Sequence, residues 1–392
     1  MFAGVVAVRV GGADEVVGHT GISHMLEHMA FKGTPDLGTK DYAKEKKLLA
    51  ELERVALQVD WAKGLTKDQA RQWKAIIGQL DDLWVNEGWV REYKIRGAQG
   101  LNATTSKDLT NYMLELPKSA FEFWCWMESE RVIRPVMRQF YRERDVVMEE
   151  RRMRFDSSPE GKLYEMLLST AYSAHSYRYP VIGYEFDIRD LTATATAAFQ
   201  KAYYVPENIV VALVGDVDKE RDASIIEKYF GRIPIGTRPA YPHAVEPTQE
   251  GLREVVYKVD ASRLTLLAYR KPNYPHPDDA KIGIMSEVLA GSRLSPLYKE
   301  LVEKRRLASD VGAYEGPGNQ YPNLLMFQMT PLAPHDNSDV ISAFHEILEK
   351  FKSNPPSVEE LANAKRRVAM SYLGALEENM SIAFDLASSQ LL

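Results

Sequence analysis

The apolar positions change period several times along the chain, and each change marks a predicted element. Residues 4–10, rich in valine with Arg9 as the one charge, predict a buried strand. Beyond the turn Gly11-Gly12-Ala13-Asp14, the residues Ile22, Met25, Leu26 and Met29 recur at helical spacing. A helix is therefore predicted from Gly21 to Phe31, stopped by Gly33-Thr34-Pro35. Residues 40–94 are highly charged yet keep two helical stripes. Leu48, Leu49, Leu52, Val55, Ala56 and Val59 form the first. Trp73, Ile76, Ile77, Leu80, Leu83 and Trp84 form the second, after the break Gly64-Leu65-Thr66. These predict a helical hairpin with Thr66 and Gln69 in capping-box positions, either a solvated insertion packed on its domain or a surface for a partner or substrate.

Asn102 to Leu116 alternates in places and is rich in threonine, which predicts a strand, a turn and a second strand. Helices are predicted over 119–153 with a break at Pro135, over about 159–173 and near 190–204, and a buried strand over Ile209–Val214. Pro234, Pro239, Pro242 and Pro247 mark 233–252 as a linker. Beyond it the outline recurs: a strand at 264–269, helices at 280–289 and 297–307, a strand, a helix from near Val340 and final helices from Val358. The fold class expected is α+β, with two similar domains, each a mainly antiparallel sheet with helices packed on one face. The first domain is expected at 1–232, with the helical insertion at about 40–94, and the second at 253–392. Because the chain starts inside a strand and stops inside a helix, truncation at both ends is expected.

Composition narrows the chemistry. The 392 residues suit two domains, and 45% hydrophobic with 27% charged residues describes a soluble globular protein. A net charge of −6 gives no electrostatic case for nucleic acid or an anionic membrane surface. No apolar run approaches the roughly 18 residues of a membrane span, and no basic leader precedes Val5. The compartment stays open, a periplasmic one included if the N-terminus is incomplete. Cys125, the single cysteine, sits among aromatics as a small hydrophobe and excludes a cysteine-built zinc site.

The chemistry centres on His24-Met25-Leu26-Glu27-His28. In a helix the two histidines stack one turn apart, with Glu27 on nearly the same face. Two imidazoles so placed can share one Zn²⁺, and the neighbouring carboxylate can take a proton from a water on that metal. The array sits in an otherwise apolar helix, where idle polar groups are costly. H-x-x-E-H is the inverted zincin signature. A catalytic zinc takes a third protein ligand. Candidates lie in Glu143-Arg144-Asp145-Val146-Val147-Met148-Glu149-Glu150, where Glu143 and Glu150 share a face about two turns apart. Glu149 and Glu150 cannot both point at one metal, and spacing alone leaves the choice open.

The run Gly21-Ile22-Ser23-His24-Met25-Leu26-Glu27-His28-Met29-Ala30-Phe31-Lys32-Gly33-Thr34 closely resembles the pitrilysin-type inverted zincins. That metallopeptidase family includes insulin-degrading enzyme, the mitochondrial processing peptidase and many bacterial homologues. Asn102-Ala103-Thr104 with Asp108-Leu109-Thr110, the segment Glu143 to Glu150, and Tyr203-Tyr204-Val205-Pro206-Glu207-Asn208 leading to Gly215-Asp216 agree with it. The resemblance covers about residues 4–330. It implies one zinc per chain on His24, His28 and Glu150, with Glu27 as general base and Glu143 orienting a histidine from behind the metal. It implies further that Asn102 and Ala103 lie on an edge strand along which an extended peptide is laid. The implied fold is two similar halves facing across a cavity, with the zinc in the first.

The expected function is that of a zinc metalloendopeptidase hydrolysing unfolded or short peptides by Glu27-assisted attack of zinc-bound water. One departure bears on it. The family's C-terminal half often carries an Arg and a Tyr, seven apart, that stabilise the oxyanion. The matching positions here are Val302 and Ser309. The expectation that follows is a homo- or heterodimer in which a homologous subunit supplies that pair. The alternative is a non-catalytic or partner-dependent subunit of a heteromeric peptidase or assembly, against which the retention of His24, Glu27, His28 and Glu150 counts.

Overall fold

The structure, a computed structural model, describes residues 1–239 and 244–392. Pro242 of the expected linker lies outside the described residues. Along the chain, β1 (Phe2–Val8) leads to α1 (Ile22–Met29), the hairpin of α2 (Tyr42–Ala56) and α3 (Lys67–Leu83), α4 (Gly88–Lys94), β2 (Gln99–Thr105) and β3 (Thr110–Leu116). Next come α5 (Phe121–Ile133), α6 (Phe140–Arg151), α7 (Pro159–Ala171), α8 (Glu185–Asp190), α9 (Ala193–Tyr203), β4 (Ile209–Gly215) and α10 (Lys219–Phe230). Then follow β5 (Thr265–Lys271), α11 (Asp279–Ala290) and α12 (Pro296–Tyr298), which runs on as a π-helical stretch, Lys299–Lys304. The chain finishes with β6 (Ala308–Gly316), β7 (Asn323–Pro331), α13 (Asn337–Ser353), α14 (Val358–Ala375) and α15 (Asn379–Leu391).

Two compact units result. The first comprises Met1–Met153, Tyr179–Ala244 and Asn379–Leu392, and the second Arg154–Arg178 and Val245–Glu378. Two segments are thus grouped differently from a division at 233–252: 154–178 belongs to the second unit and 379–392 to the first.

The first unit is built on an antiparallel sheet ordered β2-β3-β1-β4. Every residue of β1 is buried, so both of its faces need cover. Phe2, Val6 and Val8 pack with Phe121 and Trp124 of α5 and with Phe230 of α10. Gly4 shares that face, and a Cβ there would lie 2.6 Å from the Trp124 ring, which needs the glycine to lie flat on the strand. Ala3, Val5 and Ala7 face the other way and pack on Ala383, Ala387 and Leu391 of α15. Helices therefore cover both sides of this sheet. The one-face expectation is corrected by the unbroken apolar run of β1, which leaves no polar side for water.

The second unit has the antiparallel sheet β5-β7-β6. Leu325, Phe327 and Met329 of β7 pack with Val340, Phe344 and Ile347 of α13 and with Leu289 and Leu301. Where one strand was expected between the helices at 297–307 and 340, there are two, and the earlier helix ends at Lys304. Among the described residues, no helix or strand lies between α10 and β5, the stretch expected to act as a linker. No helix is long and apolar enough to cross a membrane among those residues.

Candidate metal centre

Eight residues make α1, too few for an isolated helix to hold together in water. Its ends are fastened from outside. Gly21 caps the N-terminus with φ +88°, and a Cβ there would lie 2.4 Å from the Ile182 carbonyl oxygen. Buried Glu15 accepts from the Gly21 N–H at 2.8 Å and the Ser23 N–H at 2.9 Å, satisfying two donors that the helix start leaves open. Ile22, Met25, Leu26 and Met29 are buried, which fixes the rotation of the helix and leaves the His24–Glu27–His28 side for chemistry.

The imidazoles of His24 and His28 sit one turn apart, ring centroids 4.7 Å and planes at 77°. Across from them lies α6, whose buried Val147 separates Glu143 from Glu150 on one helix face. Glu150 Oε2 is 3.8 Å from His24 Nε2 and 3.4 Å from His28 Nε2. One donor atom from each of His24, His28 and Glu150 falls within 4.8 Å of the others. Donors bound to zinc at roughly 2.0–2.1 Å in tetrahedral arrangement stand about 3.3 Å apart, so the donor set and its span fit that ion. Glu149, one residue earlier, points elsewhere: it pairs with Arg152 at 2.5 Å on the surface. The choice that spacing left open is resolved in geometry by the 100° step between successive helical residues.

Glu143 lies behind His28. Its Oε1 is 3.0 Å from His28 Nδ1, and its Oε2 is 2.5 Å from Lys32 Nζ. Burial opposes charge on Glu143, but the bonds from His28 and Lys32 outweigh it and hold the carboxyl below its usual range. Burial would likewise lower the basicity of His28, yet the Glu143 and Glu150 carboxylates overcome it and push the imidazole up to about 9. The Nδ1 contact with Glu143 leaves Nε2 facing Glu150. The side chains of His24, His28 and Glu150 are 11%, 20% and 16% exposed, removed from bulk water yet reachable from it.

Glu27 is held on the same helix by Thr105, whose hydroxyl donates to Glu27 Oε2 at 2.6 Å. Thr105 ends β2, the edge strand of the sheet, which pairs with β3 on one side only. Asn102 and Ala103 are on that strand, opposite Met113 and Tyr112; Asn102 is exposed and Ala103 buried. Thr105, Lys32 and Glu15 were not singled out from sequence. Lys32 stands one turn beyond His28 and could have been found by spacing. Thr105 directly follows the Asn102-Ala103-Thr104 run, whereas Glu15 sits in a loop without period.

Other residues considered for chemistry lie outside this cluster. Cys125 is buried, and burial pushes its thiol up to about 12. His175 is buried among Tyr172, Tyr177 and Tyr321 in the second unit. Val302 falls in the π-helical stretch and Ser309 in β6. Arg305, three residues beyond Val302, is engaged with Glu300 and Glu346.

Residues 3–63 match the family described as insulinase (peptidase family M16), and residues 190–368 match the peptidase M16 inactive domain. The zinc protease PqqE of Helicobacter pylori is 28% identical over 385 residues, covering 96% of this chain and 76% of the relative. An uncharacterised zinc protease of Mycobacterium leprae is 26% identical over 395 residues, covering 98% of this chain and 76% of that one. Among solved structures, a protease from Helicobacter pylori superposes with TM-score 0.81 at 27% identity, over all of this chain and 83% of the other. The periplasmic protease PqqL from Escherichia coli shares the fold, with TM-score 0.69 at 17% identity, over all of this chain and 40% of that one.

Proposed function

We propose that this chain, which belongs to the peptidase M16 (insulinase) family, is a zinc metalloendopeptidase cleaving unfolded or short peptides. The observation that carries the reading is the meeting of His24 Nε2, His28 Nε2 and Glu150 Oε2 beside Glu27, two helices far apart in sequence converging on one point. His24, His28 and Glu150 hold one zinc ion. Bound there, zinc supplies a Lewis acid that polarises a carbonyl and brings the pKa of a water toward about 7. Glu27 accepts the proton of the attacking water at its carboxylate and returns it to the leaving amine. Thr105 keeps that carboxylate in place, and Glu143, itself steadied by Lys32, fixes the His28 ring. An extended peptide adds to the open edge of β2 near Asn102 and Ala103, which reads main chain more than side chain and suits broad specificity.

The test compares the parent with Glu27→Gln for zinc content and peptide hydrolysis. Catalysis predicts a stoichiometric ion in both and a fall in turnover of at least about 10³-fold in the variant. No turnover in either protein favours an assembly role, and loss of both zinc and fold in the variant favours a structural site. A partner-dependent peptidase is a second reading, favoured by Val302 and Ser309 at the positions that would otherwise contact the oxyanion. A purified monomer that cleaves peptides without any added subunit refutes it.

A further inference from the structure

The hairpin of α2 and α3 is packed on its domain. It docks on α6, the helix that bears Glu143 and Glu150, and its contacts gather on the opposite side of that helix. Counting about 100° per residue, Glu143 and Glu150 fall within about 20° of each other, while Tyr141 and Arg144 lie about 100–180° away. Tyr141 is 6% exposed, stacked on Trp61 at 5.6 Å and 22°, and edge-on to Trp73 at 5.0 Å. The Arg144 guanidinium lies 3.8 Å from the Trp61 ring centroid and donates to the Leu191 carbonyl at 3.2 Å. Glu53 of α2 accepts from the Tyr141 hydroxyl at 2.6 Å and, with its other oxygen, from the Thr194 N–H at 2.8 Å where α9 begins. Arg142 and Asp81 of α3 form a two-bond pair at 2.6 and 2.8 Å. Just before α6, Arg138 makes a fully buried two-bond pair with Glu45, which also accepts from Trp84 Nε1.

We propose that this hairpin is a brace for the metal centre, with Trp61 and Tyr141 as positioning residues that set the reach of Glu150 and Glu143 toward the histidines. The proposal rests on the zinc reading above. Its physical basis is the single row of residues between brace and site. A helix face held by stacked rings and a desolvated guanidinium resists rotation, and a few degrees of rotation at α6 move a glutamate carboxylate by several tenths of an ångström. Metal sites tolerate such displacement poorly, because the groups that orient the ligands control affinity as well as activity.

The experiment measures zinc affinity by chelator competition, together with kcat, KM and Tm, for the full chain and four variants. Trp61→Ala removes the stack and the cation–π contact. Tyr141→Phe keeps the ring and removes the hydroxyl with its bonds to Glu53 and the Ala193 backbone, a milder change should the first fail to fold. Trp61→Phe restores an aromatic face, and Lys63→Ala changes an exposed residue of the same connection. The brace predicts zinc affinity lower by about 3–10-fold in Trp61→Ala, below the roughly 10–100-fold typical of groups that touch a ligand directly. It also predicts a kcat loss at saturating zinc with KM little changed, recovery in Trp61→Phe, a smaller loss in Tyr141→Phe, and no change in Lys63→Ala. Unaltered zinc affinity in folded Trp61→Ala and Tyr141→Phe, with only Tm lowered, overturns the brace and leaves the zinc reading standing. A parent protein that binds no zinc overturns both.

Discussion

Replacing Thr105 by valine removes one hydroxyl and almost no volume, which isolates the bond to Glu27. That bond is short, 2.6 Å, goes to a carboxylate and is partly buried, so it belongs with charge-assisted hydrogen bonds worth about 1.5–3 kcal/mol. Not all of that reaches the rate. The donor holds Glu27 both before and during proton transfer, so the kinetic effect is the loss of orientation and not the full bond energy. Taking roughly half, about 0.8–1.5 kcal/mol, predicts a kcat lower by about 4–13-fold. KM should move less than about twofold, since the edge of β2 is intact. The assay is steady-state hydrolysis of an internally quenched peptide, with metal content measured on the same samples. Thr105→Ser, which keeps the donor, should recover most of the rate. If Thr105→Val works within twofold of the parent at equal zinc loading, Thr105 does not position the base, and the link drawn here between the edge strand and the chemistry is wrong.

Glu143→Gln keeps the shape of the side chain and loses the charge shared by His28 and Lys32; zinc affinity should fall about 10–100-fold in a competition titration, with the fold retained. Removing zinc with a chelator should lower Tm, because an ion that binds only the folded state at 100 times its Kd adds about 2.7 kcal/mol; an unchanged Tm in the first unit would show no such coupling. Burial pushes the Glu15 carboxyl up to about 7, above its ordinary 4.5, so the folded chain holds that proton more tightly than the unfolded one. Its contribution is therefore fully present below about pH 4.5 and is lost as pH rises through about 7, and Glu15→Gln should flatten this part of a Tm-versus-pH curve.

How much of this was legible in the sequence depended on how each contact is made. Elements with a strong apolar period were read to within a few residues: β1, α1, both helices of the hairpin with the Thr66–Gln69 capping box, and the strands on either side of Ser106. His24 and His28 were legible because helical spacing places them without any tertiary information. Glu150 needed more, since neither period nor charge distinguishes it from Glu149 until Arg152 is seen to hold Glu149 at the surface. α10 escaped because Ile225, Ile226 and Phe230 are thinly spread among charges, and β6 and β7 merged because the turn between them carries no clear period. The role of α15 was illegible in principle. Ala383 and Ala387 are too small to mark a strong apolar stripe, and only the small residues Ala3 and Ala7 on β1 explain why a helix face bearing alanines packs there.

The contacts that sequence could not supply are the ones that fix the site. A helix as short as α1 draws its rigidity from its surroundings, and these act at every side: Glu15 at its start, Thr105 on the base, Glu143 with Lys32 behind His28. At its end Arg138 donates to the carbonyls of Lys32, Thr34 and Leu37 while paired with Glu45. One guanidinium thereby ties the chain leaving α1 to the hairpin packed on α6, so both helices that carry the candidate ligands are referred to one buried ion pair. Removing one partner of such a pair typically costs about 3–5 kcal/mol, because the remaining charge is stranded. Lysine could not replace the arginine, having neither the planar fork nor enough donors for four acceptor groups. None of these links has a period, and each joins residues far apart in the chain or in a loop. A hydrophobic pattern can place a helix and show which face it turns outward, but the few tenths of an ångström that bring the three candidate donors together are set by polar contacts of this kind.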